Sequence, residues 1–298
     1  MKDIEKKLLL IYNPKAGKGT FLQKLASIID LYTSRGYLVT AYPTQKRTDA
    51  TNIMMDEDLD YDLVVCSGGD GTLNEVVTGM MKRSKKIPIG FLPAGSTNDF
   101  ASSLEIPKHL LEAAETTIGP SVFKSDIGSL NGKYFVYAAA FGLFSEVSYM
   151  TPQDMKNLLG HSAYIIEGAK SLANIPEYHI IAEGDNIHID GYFILGMITN
   201  TYSIGGFKRL FGDDVELDDG YHELTLAKYP ETTAEFQELI TCLFNGKLRE
   251  ASIVQTAEIT SLHITSDQPI PWSLDGEFGG EYTEVEICNN KQAIELKI

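Results

Sequence analysis

The sequence predicts two domains: an α/β half with a parallel sheet over residues 1–125, then a mainly antiparallel β-sandwich over 126–290. Three observations carry this. Short apolar runs alternate with helix-spaced stretches through the first third. After about residue 122, short alternating runs take over, punctuated by Asn-Gly and Asp-Gly pairs. The chain has 298 residues, 43% hydrophobic and 22% charged, enough for two packed cores at roughly 150 residues each.

The elements of the first half follow in order. LLLIYN (8–13) is an apolar run stopped by Asn13-Pro14. Phe21, Leu22, Leu25, Ile28, Ile29 and Tyr32 then recur at helical spacing up to the breaker Gly36. LVTAY (38–42), YDLVVCS (61–67) and IPIGFLP (87–93) read as three more strands, with helical stretches between them. This is the pattern of a Rossmann-like parallel sheet covered on both faces, and such sheets bind ligands beyond the carboxyl ends of their strands. Asn13, the stretch Ser67–Gly71 and the stretch Pro93–Asn98 all fall just after strands.

In the second half KYFVYAAAF (133–141), HIDGYFILGMIT (188–199), HELTLAKY (222–229), AEITSLHIT (257–265) and YTEVEIC (282–288) read as strands. Asn131-Gly132, Asp219-Gly220, Asp275-Gly276 and Gly279-Gly280 read as turns. Helices are expected near 153–173 and 230–245. No internal repeat or low-complexity linker interrupts the chain.

The formal net charge of −16 argues against a nucleic-acid partner and against wholesale electrostatic binding to anionic membranes. Cys66, Cys242 and Cys288 are far apart and fit a reduced, cytoplasmic protein. No stretch approaches the ~18 apolar residues of a membrane span. The six histidines show none of the spacings of a zinc site.

The chemistry sits in three loops. SGGDGTLNEVV (67–77) runs from a strand through Gly68, Gly69 and Gly71 into a helical stretch. Glycines let a ligand approach the backbone, and a helix N-terminus turns several N–H groups toward one point, which suits a phosphate. Thr72-Leu73-Asn74-Glu75 fits a capping box, so the helix is expected to start just past the glycines. Asp70 would repel a phosphate unless a cation such as Mg²⁺ intervenes or the carboxylate accepts from nucleotide hydroxyls; the bland alternative is a tight turn in which Asp70 only caps something. Asn13-Pro14-Lys15-Ala16-Gly17-Lys18-Gly19 is a second glycine loop, but not G-x-x-x-x-G-K-[ST]. Pro93-Ala94-Gly95-Ser96-Thr97-Asn98-Asp99 is a third, rich in hydroxyl and amide groups.

Together, NPKAGKG, SGGDGTLNEVV and FLPAGSTNDFA resemble the catalytic domain of the diacylglycerol kinase family, which includes sphingosine and ceramide kinases and the soluble bacterial lipid kinases. KSDIG (124–128), ELDDGYHEL (216–224) and SLDGEFGG (273–280) extend the resemblance over nearly the whole chain. It implies an ATP- and Mg²⁺-dependent kinase that phosphorylates diacylglycerol to phosphatidic acid. Alternatives are a kinase for another lipid, a sphingoid base or NAD, or a non-catalytic nucleotide or lipid sensor. It further implies nucleotide contacts from Asn13, Pro14, Lys15, Ala16 and Gly17, from Thr44, from Gly68, Gly69, Asp70, Gly71, Thr72, Leu73 and Asn74, and from Ser96, Asn98 and Asp99. Ser96 stands where bacterial relatives often have threonine, and either hydroxyl can donate to a phosphate.

By the same resemblance Asp70, Asp99 and Asp126 hold the catalytic Mg²⁺ and Glu277 is the base facing the lipid hydroxyl. Asp219, with the backbone oxygens of Glu216 and Tyr221, binds a second Mg²⁺. The second domain takes the lipid, and a strand near 291–298 returns to the first. Diacylglycerol at a membrane surface is the expected partner, reached by transient peripheral contact from the cytoplasm; a homodimer is an expectation of the family alone. Phe207-Lys208-Arg209-Leu210-Phe211 is a candidate membrane loop, Lys82-Arg83-Ser84-Lys85-Lys86 a solvated helix end, and Trp272 packing for the turn that follows it.

Overall fold

The computed structural model describes residues 6–17, 19–143, 176–184, 186–204, 207–208 and 216–298. The helix expected near 153–173, Lys18 and the Arg209–Phe211 part of the candidate membrane loop lie outside the described residues. The chain divides into two compact units, residues 1–127 with 291–298, and residues 128–290. They divide the charge unequally. The first carries 17 basic and 17 acidic residues, whereas the second carries 8 Lys or Arg against 24 Asp or Glu, so it accounts for the whole −16.

The first unit is an all-parallel sheet with helices between its strands. β1 (Lys6–Tyr12), β2 (Tyr37–Pro43), β3 (Leu63–Gly68) and β4 (Ile89–Pro93) are joined by α1 (Thr20–Ser34), α2 (Asp49–Met54) and α3 (Asp70–Lys82). After β4 come α4 (Asp99–Ser103) and α5 (Leu110–Thr117). The last residues of β16 (Glu277–Lys297) close the order β16-β4-β3-β1-β2, with Leu296 opposite Ile89 and Val64 opposite Ile89. Every residue of β3 and β4 is buried, as a strand covered on both faces requires. The chain winds outward from β1 to β2 and then continues on the other side of β1, so β1 and β3 flank the switch point where such sheets hold ligands.

The second unit is antiparallel. β5 (Val122–Leu130) and β6 (Lys133–Phe135) form a hairpin over Asn131 and Gly132, both at positive φ. β7 (Ala138–Gly142), β8 (Tyr178–Gly184), β9 (Ile187–Phe193), β10 (Leu195–Thr199), the short pair β11 (Ser203–Ile204) and β12 (Phe207–Lys208), β13 (His222–Ala227), β14 (Val254–Ile259) and β15 (Ser261–Leu274) follow. The main path runs β14-β13-β10-β7-β15-β16, and β8 with β9 attaches to the early part of β15. β15 thus pairs with β8 over Leu262–Ser266 and with β7 over Trp272–Leu274, with register shifts between. The core between these layers contains Trp272, Phe141, Phe135, Phe193, Ile198, Leu224 and Leu226. Trp272 stands edge-on to Phe141 with ring centroids 4.9 Å apart.

Three expectations are corrected or sharpened here. The helix placed at 230–245 is α6 (Thr233–Phe244), started by a capping box in which Thr232 Oγ1 accepts from Glu235 N–H. Gly279-Gly280 is not a turn but lies inside β16, where Gly279 is the extra residue of a bulge between the pairs Ser273–Phe278 and Trp272–Gly280. The basic stretch at the end of α3 is only partly solvated. Arg83 is buried and donates to the carbonyls of Met54, Asp56, Leu59 and Lys85, while Lys86 Nζ caps the Met80, Met81 and Arg83 carbonyls. Among the described residues no helix is long and apolar enough to cross a membrane.

Candidate functional site

The three glycine loops meet backbone to backbone at the switch point. Asn13 N–H donates to the Ser67 carbonyl (2.9 Å), and Ala94 N–H donates to the Gly68 carbonyl (2.8 Å). Gly17 has φ +54°, and a Cβ there would lie 2.4 Å from the Ala94 carbonyl oxygen. A Cβ on Gly95 would lie 2.5 Å from Gly69 Cα, and one on Gly68 2.2 Å from Thr72 Oγ1. Glycine is therefore demanded by contact between the loops at Gly17 and Gly95, and at Gly68 by the Thr72 side chain of its own loop. Asn13 Oδ1 accepts Lys15 N–H (2.9 Å), which turns the chain through Pro14 and Ala16 toward α1. Thr44 N–H and Oγ1 both point to the Tyr12 carbonyl, at 2.9 and 3.4 Å.

α3 begins at Asp70, not past the glycines, so Gly71, Thr72, Leu73 and Asn74 are its first turns. Gly69 is its N-cap and supplies no side chain; Gly19 does the same for α1. Two helix N-termini beside one switch point thus present backbone N–H groups, a positive environment suited to phosphate oxygens. The capping box expected from Thr72 and Glu75 does not form at this start. The Glu75 carboxylate instead accepts Thr48 N–H (2.8 Å) and Ala50 N–H (3.2 Å), fixing the start of α2 against α3. One turn into the helix, Glu75 faces the neighbouring element rather than its own first N–H groups.

Asp70 and Asp99 are brought together. The Asp70 carboxylate accepts Asp99 N–H (3.2 Å) and Phe100 N–H (3.4 Å) at the start of α4. Asn98, at φ +54°, closes the loop before it: its Oδ1 accepts Gly95 N–H and its Nδ2 donates to the Gly95 carbonyl. Ser96 stands exposed at the loop crest, while Asp99 is 3% exposed. Asp126 is fully buried on β5, and its Oδ1 accepts Gln292 N–H at 2.6 Å, where β16 passes through φ +49°. Among the described residues no three His, Cys, Asp or Glu side chains converge as a metal cage. Mg²⁺ characteristically takes only one or two carboxylates, its remaining places going to phosphate oxygens and water, so an aspartate at the start of α3 fits it.

In the second unit Glu277 opens β16 opposite Leu274 and is exposed. The turn before it is Asp275-Gly276, with φ +48° and +80°, the two-residue geometry that such a pair favours. Asp275 is the residue that local sequence signals miss. It is 6% exposed, and its carboxylate accepts the N–H groups of Val136 (2.7 Å), Tyr137 (3.0 Å) and Ala138 (3.0 Å). Its own N–H donates to the Ala138 carbonyl. The Asp-Gly pair announces the turn but not a carboxylate sewn to a segment 137 to 139 residues away.

Asp219 Oδ1 accepts Tyr221 N–H (2.8 Å), and Asn200 Nδ2 holds the Leu217 carbonyl of the same loop. Glu216 and Tyr221 are exposed on either side. Two residues on, Glu223 is buried in β13, and burial pushes its carboxyl up to about 7 against the opposing pull of Arg249. The sequence reading assigned Glu223 no role.

Comparison with known proteins covers the stretch that contains these loops. The diacylglycerol kinase catalytic domain family matches residues 7–130. A diacylglycerol kinase from Staphylococcus carnosus is 35% identical over 296 residues, 98% of this chain and 95% of its own. One from Bacillus subtilis is 34% identical over 278 residues, 92% of this chain and 91% of its own. A Bacillus anthracis crystal structure, provisionally named a diacylglycerol kinase, shares the fold with a TM-score of 0.82 at 24% identity, covering 100% of this chain and 96% of its own. The chain belongs to the diacylglycerol kinase family and is a lipid kinase, a phosphotransferase whose N-terminal α/β domain has parallel strands and whose second domain is a mostly antiparallel sheet.

Proposed function

We propose that the protein transfers the γ-phosphoryl group of ATP to the free hydroxyl of diacylglycerol, giving phosphatidic acid and ADP. The observation that carries this is the close packing of Gly17 on Ala94 and of Gly95 on Gly69, with Asp70 as the first residue of α3. Exposed N–H groups at two helix starts receive phosphate oxygens. Asn13 to Gly17, Thr44, Gly68 to Asn74, Ser96 and Asn98 orient the nucleotide. Phosphoryl transfer has a loose transition state, so positioning and charge neutralisation supply most of the catalysis.

Asp70 would hold Mg²⁺, with Asp99 and Asp126 acting through the waters of the ion and not as a three-carboxylate cage; when bound, the ion offsets the charge of the β- and γ-phosphates. Glu277 accepts the proton of the lipid hydroxyl as its oxygen bonds to the γ-phosphorus and the bond to ADP breaks. Asp219 with the Glu216 and Tyr221 carbonyls would hold a second, structural Mg²⁺. The substrate calls for reversible contact with a membrane surface from the cytoplasm, and a homodimer is consistent with this assignment.

The test is transfer of labelled γ-phosphate to lipid in mixed micelles containing diacylglycerol, with sphingosine and NAD as competing acceptors. Labelled phosphatidic acid, reduced about 10²-fold or more in Glu277→Gln, is the expected result. Labelling of sphingosine or NAD in preference would replace diacylglycerol as the acceptor. ATP binding without any transfer would favour a sensor.

A further inference from the structure

β16 changes its buried positions part-way along. In the stretch paired with β15, Val285 and Ile287 are buried, whereas in the stretch that reaches β4 the buried residues are Ile294 and Leu296. Side chains of a regular strand alternate with a period of two, so a switch from odd to even positions requires an irregularity between them. Gln292 lies in that interval at φ +49°, in the left-handed region that L side chains rarely adopt. Its side chain is exposed, so no core packing holds it in this conformation.

What the conformation does is aim a donor. Gln292 N–H donates to Asp126 Oδ1 at 2.6 Å, a charge-assisted bond between residues 166 apart in sequence. Asp126 is fully buried on β5, between the equally buried Ser125 and Ile127. Both partners belong to the first unit, and each stands two residues from the point where its strand enters the second. The neighbouring ion pair of Lys124 with Glu295, at 3.8 Å and with both side chains about half exposed, is too loose to fix the same geometry.

We infer that Gln292 is a positioning residue: its left-handed backbone fixes the Asp126 carboxylate in the orientation that the waters of a bound Mg²⁺ require. This rests on the reading of Asp126 given under the proposed function. A short N–H bond to one oxygen stops the carboxylate from rotating and so sets where its other oxygen looks. Mg²⁺ tolerates little departure from octahedral geometry, and outer groups that orient its ligands typically govern affinity by about 10- to 100-fold. The contribution of position 292 is made by its backbone, so no side-chain motif marks it. A residue at the far end of the chain thus serves a carboxylate of the nucleotide-binding unit.

The experiment follows binding of a non-hydrolysable ATP analogue to the full chain by calorimetry, over a series of Mg²⁺ concentrations. A β-branched residue resists positive φ, so Gln292→Val swings the N–H away from Asp126, whereas Gln292→Gly keeps it in place. Gln292→Val should need about tenfold more Mg²⁺ than wild type for half-maximal tightening of binding, with affinity in EDTA unchanged. Gln292→Gly should stay within about twofold of wild type. Where valine prevents folding, a backbone ester at position 292, which removes only the N–H, carries the same expectation. Equal shifts in the valine and glycine variants would assign the effect to the glutamine side chain and overturn the proposal. Asp126→Asn separates the two readings. If it shifts the Mg²⁺ dependence while Gln292→Val lowers only the urea midpoint, the bond is purely structural and the proposal alone falls. Wild-type Mg²⁺ dependence in Asp126→Asn removes the reading of Asp126 and the proposal with it.

Discussion

The carboxylate of Asp70 caps the backbone N–H groups of Asp99 and Phe100, so the second and third glycine loops are joined by the residue proposed to hold Mg²⁺. The same side chain has a structural duty and a proposed chemical one, and the two separate by substitution. Asp70→Asn keeps an oxygen acceptor for the start of α4 while losing the charge. It should unfold within about 1 kcal/mol of wild type and transfer phosphate about 10²-fold more slowly. Asp70→Ala should show the same kinetic loss plus about 1–2 kcal/mol of destabilisation. Urea midpoints beside initial rates check this, and equal stability losses in both variants would remove the capping role.

Gly17 and Gly19 both have positive φ, but only Gly17 is crowded, its Cβ position lying 2.4 Å from the Ala94 carbonyl oxygen. Gly19→Ala should cost about 1 kcal/mol of backbone strain and leave nucleotide binding nearly intact. Gly17→Ala must also push apart the first and third loops, and nucleotide affinity should fall about tenfold or more. Calorimetric titration with a non-hydrolysable ATP analogue distinguishes them, and equal affinities would show that the loops do not need this contact.

Asp275→Ala leaves three buried N–H groups, those of Val136, Tyr137 and Ala138, without their acceptor. The expected loss is about 2–5 kcal/mol of stability, measured by denaturant unfolding. Glu277→Ala, two residues away and exposed, should change stability by less than about 0.5 kcal/mol. A mild Asp275→Ala variant would mean that other groups hold the hairpin that presents Glu277.

His179 lies between two carboxylates, its Nε2 2.8 Å from Asp190 and its Nδ1 2.9 Å from Asp267, and its ring stacks near Tyr192. The hydrogen bond to Asp190 is the largest cause, and Asp267 adds to it, of a pKa raised above the usual histidine value. A raised pKa means that the protonated ring favours the folded state. Its contribution is fully present below the unfolded value of about 6.5 and fades as pH rises through the higher folded value. Urea midpoints should therefore fall on going from about pH 6 to pH 9, and His179→Gln should flatten that dependence. A parallel profile in the variant would assign the dependence elsewhere.

The parts of the fold set by local patterns were legible in the sequence. LLLIYN, YDLVVCS and IPIGFLP are apolar runs closed by turn-forming residues, and they are β1, β3 and β4. The glycine loops were legible for the same reason, since each must follow a strand and precede a helix. What failed were features that depend on which element comes to lie alongside. Thr72 and Glu75 have the spacing of a capping box, yet the helix is capped three residues earlier, at Gly69, and Glu75 serves α2. Gly279-Gly280 has the composition of a turn, but Asp275-Gly276 already reverses the chain, leaving the second pair to build a bulge. Asp275 and Asp126 reach across more than a hundred residues for their N–H partners, and no local signal encodes such a distance.

β16 has a consequence for how the protein is made. Its early residues complete the antiparallel unit, and Leu296 and Lys297 pair with Ile89 and Gly90 of β4. The ribosome delivers residues 291–298 after everything else in the parallel sheet has been waiting through the synthesis of more than 160 intervening residues. Until then the apolar β4 has one open edge, the kind of surface that recruits stray strands. The parallel-sheet half, although encoded first, lacks this strand until the antiparallel half has been made, and its β4 edge stays open over that interval.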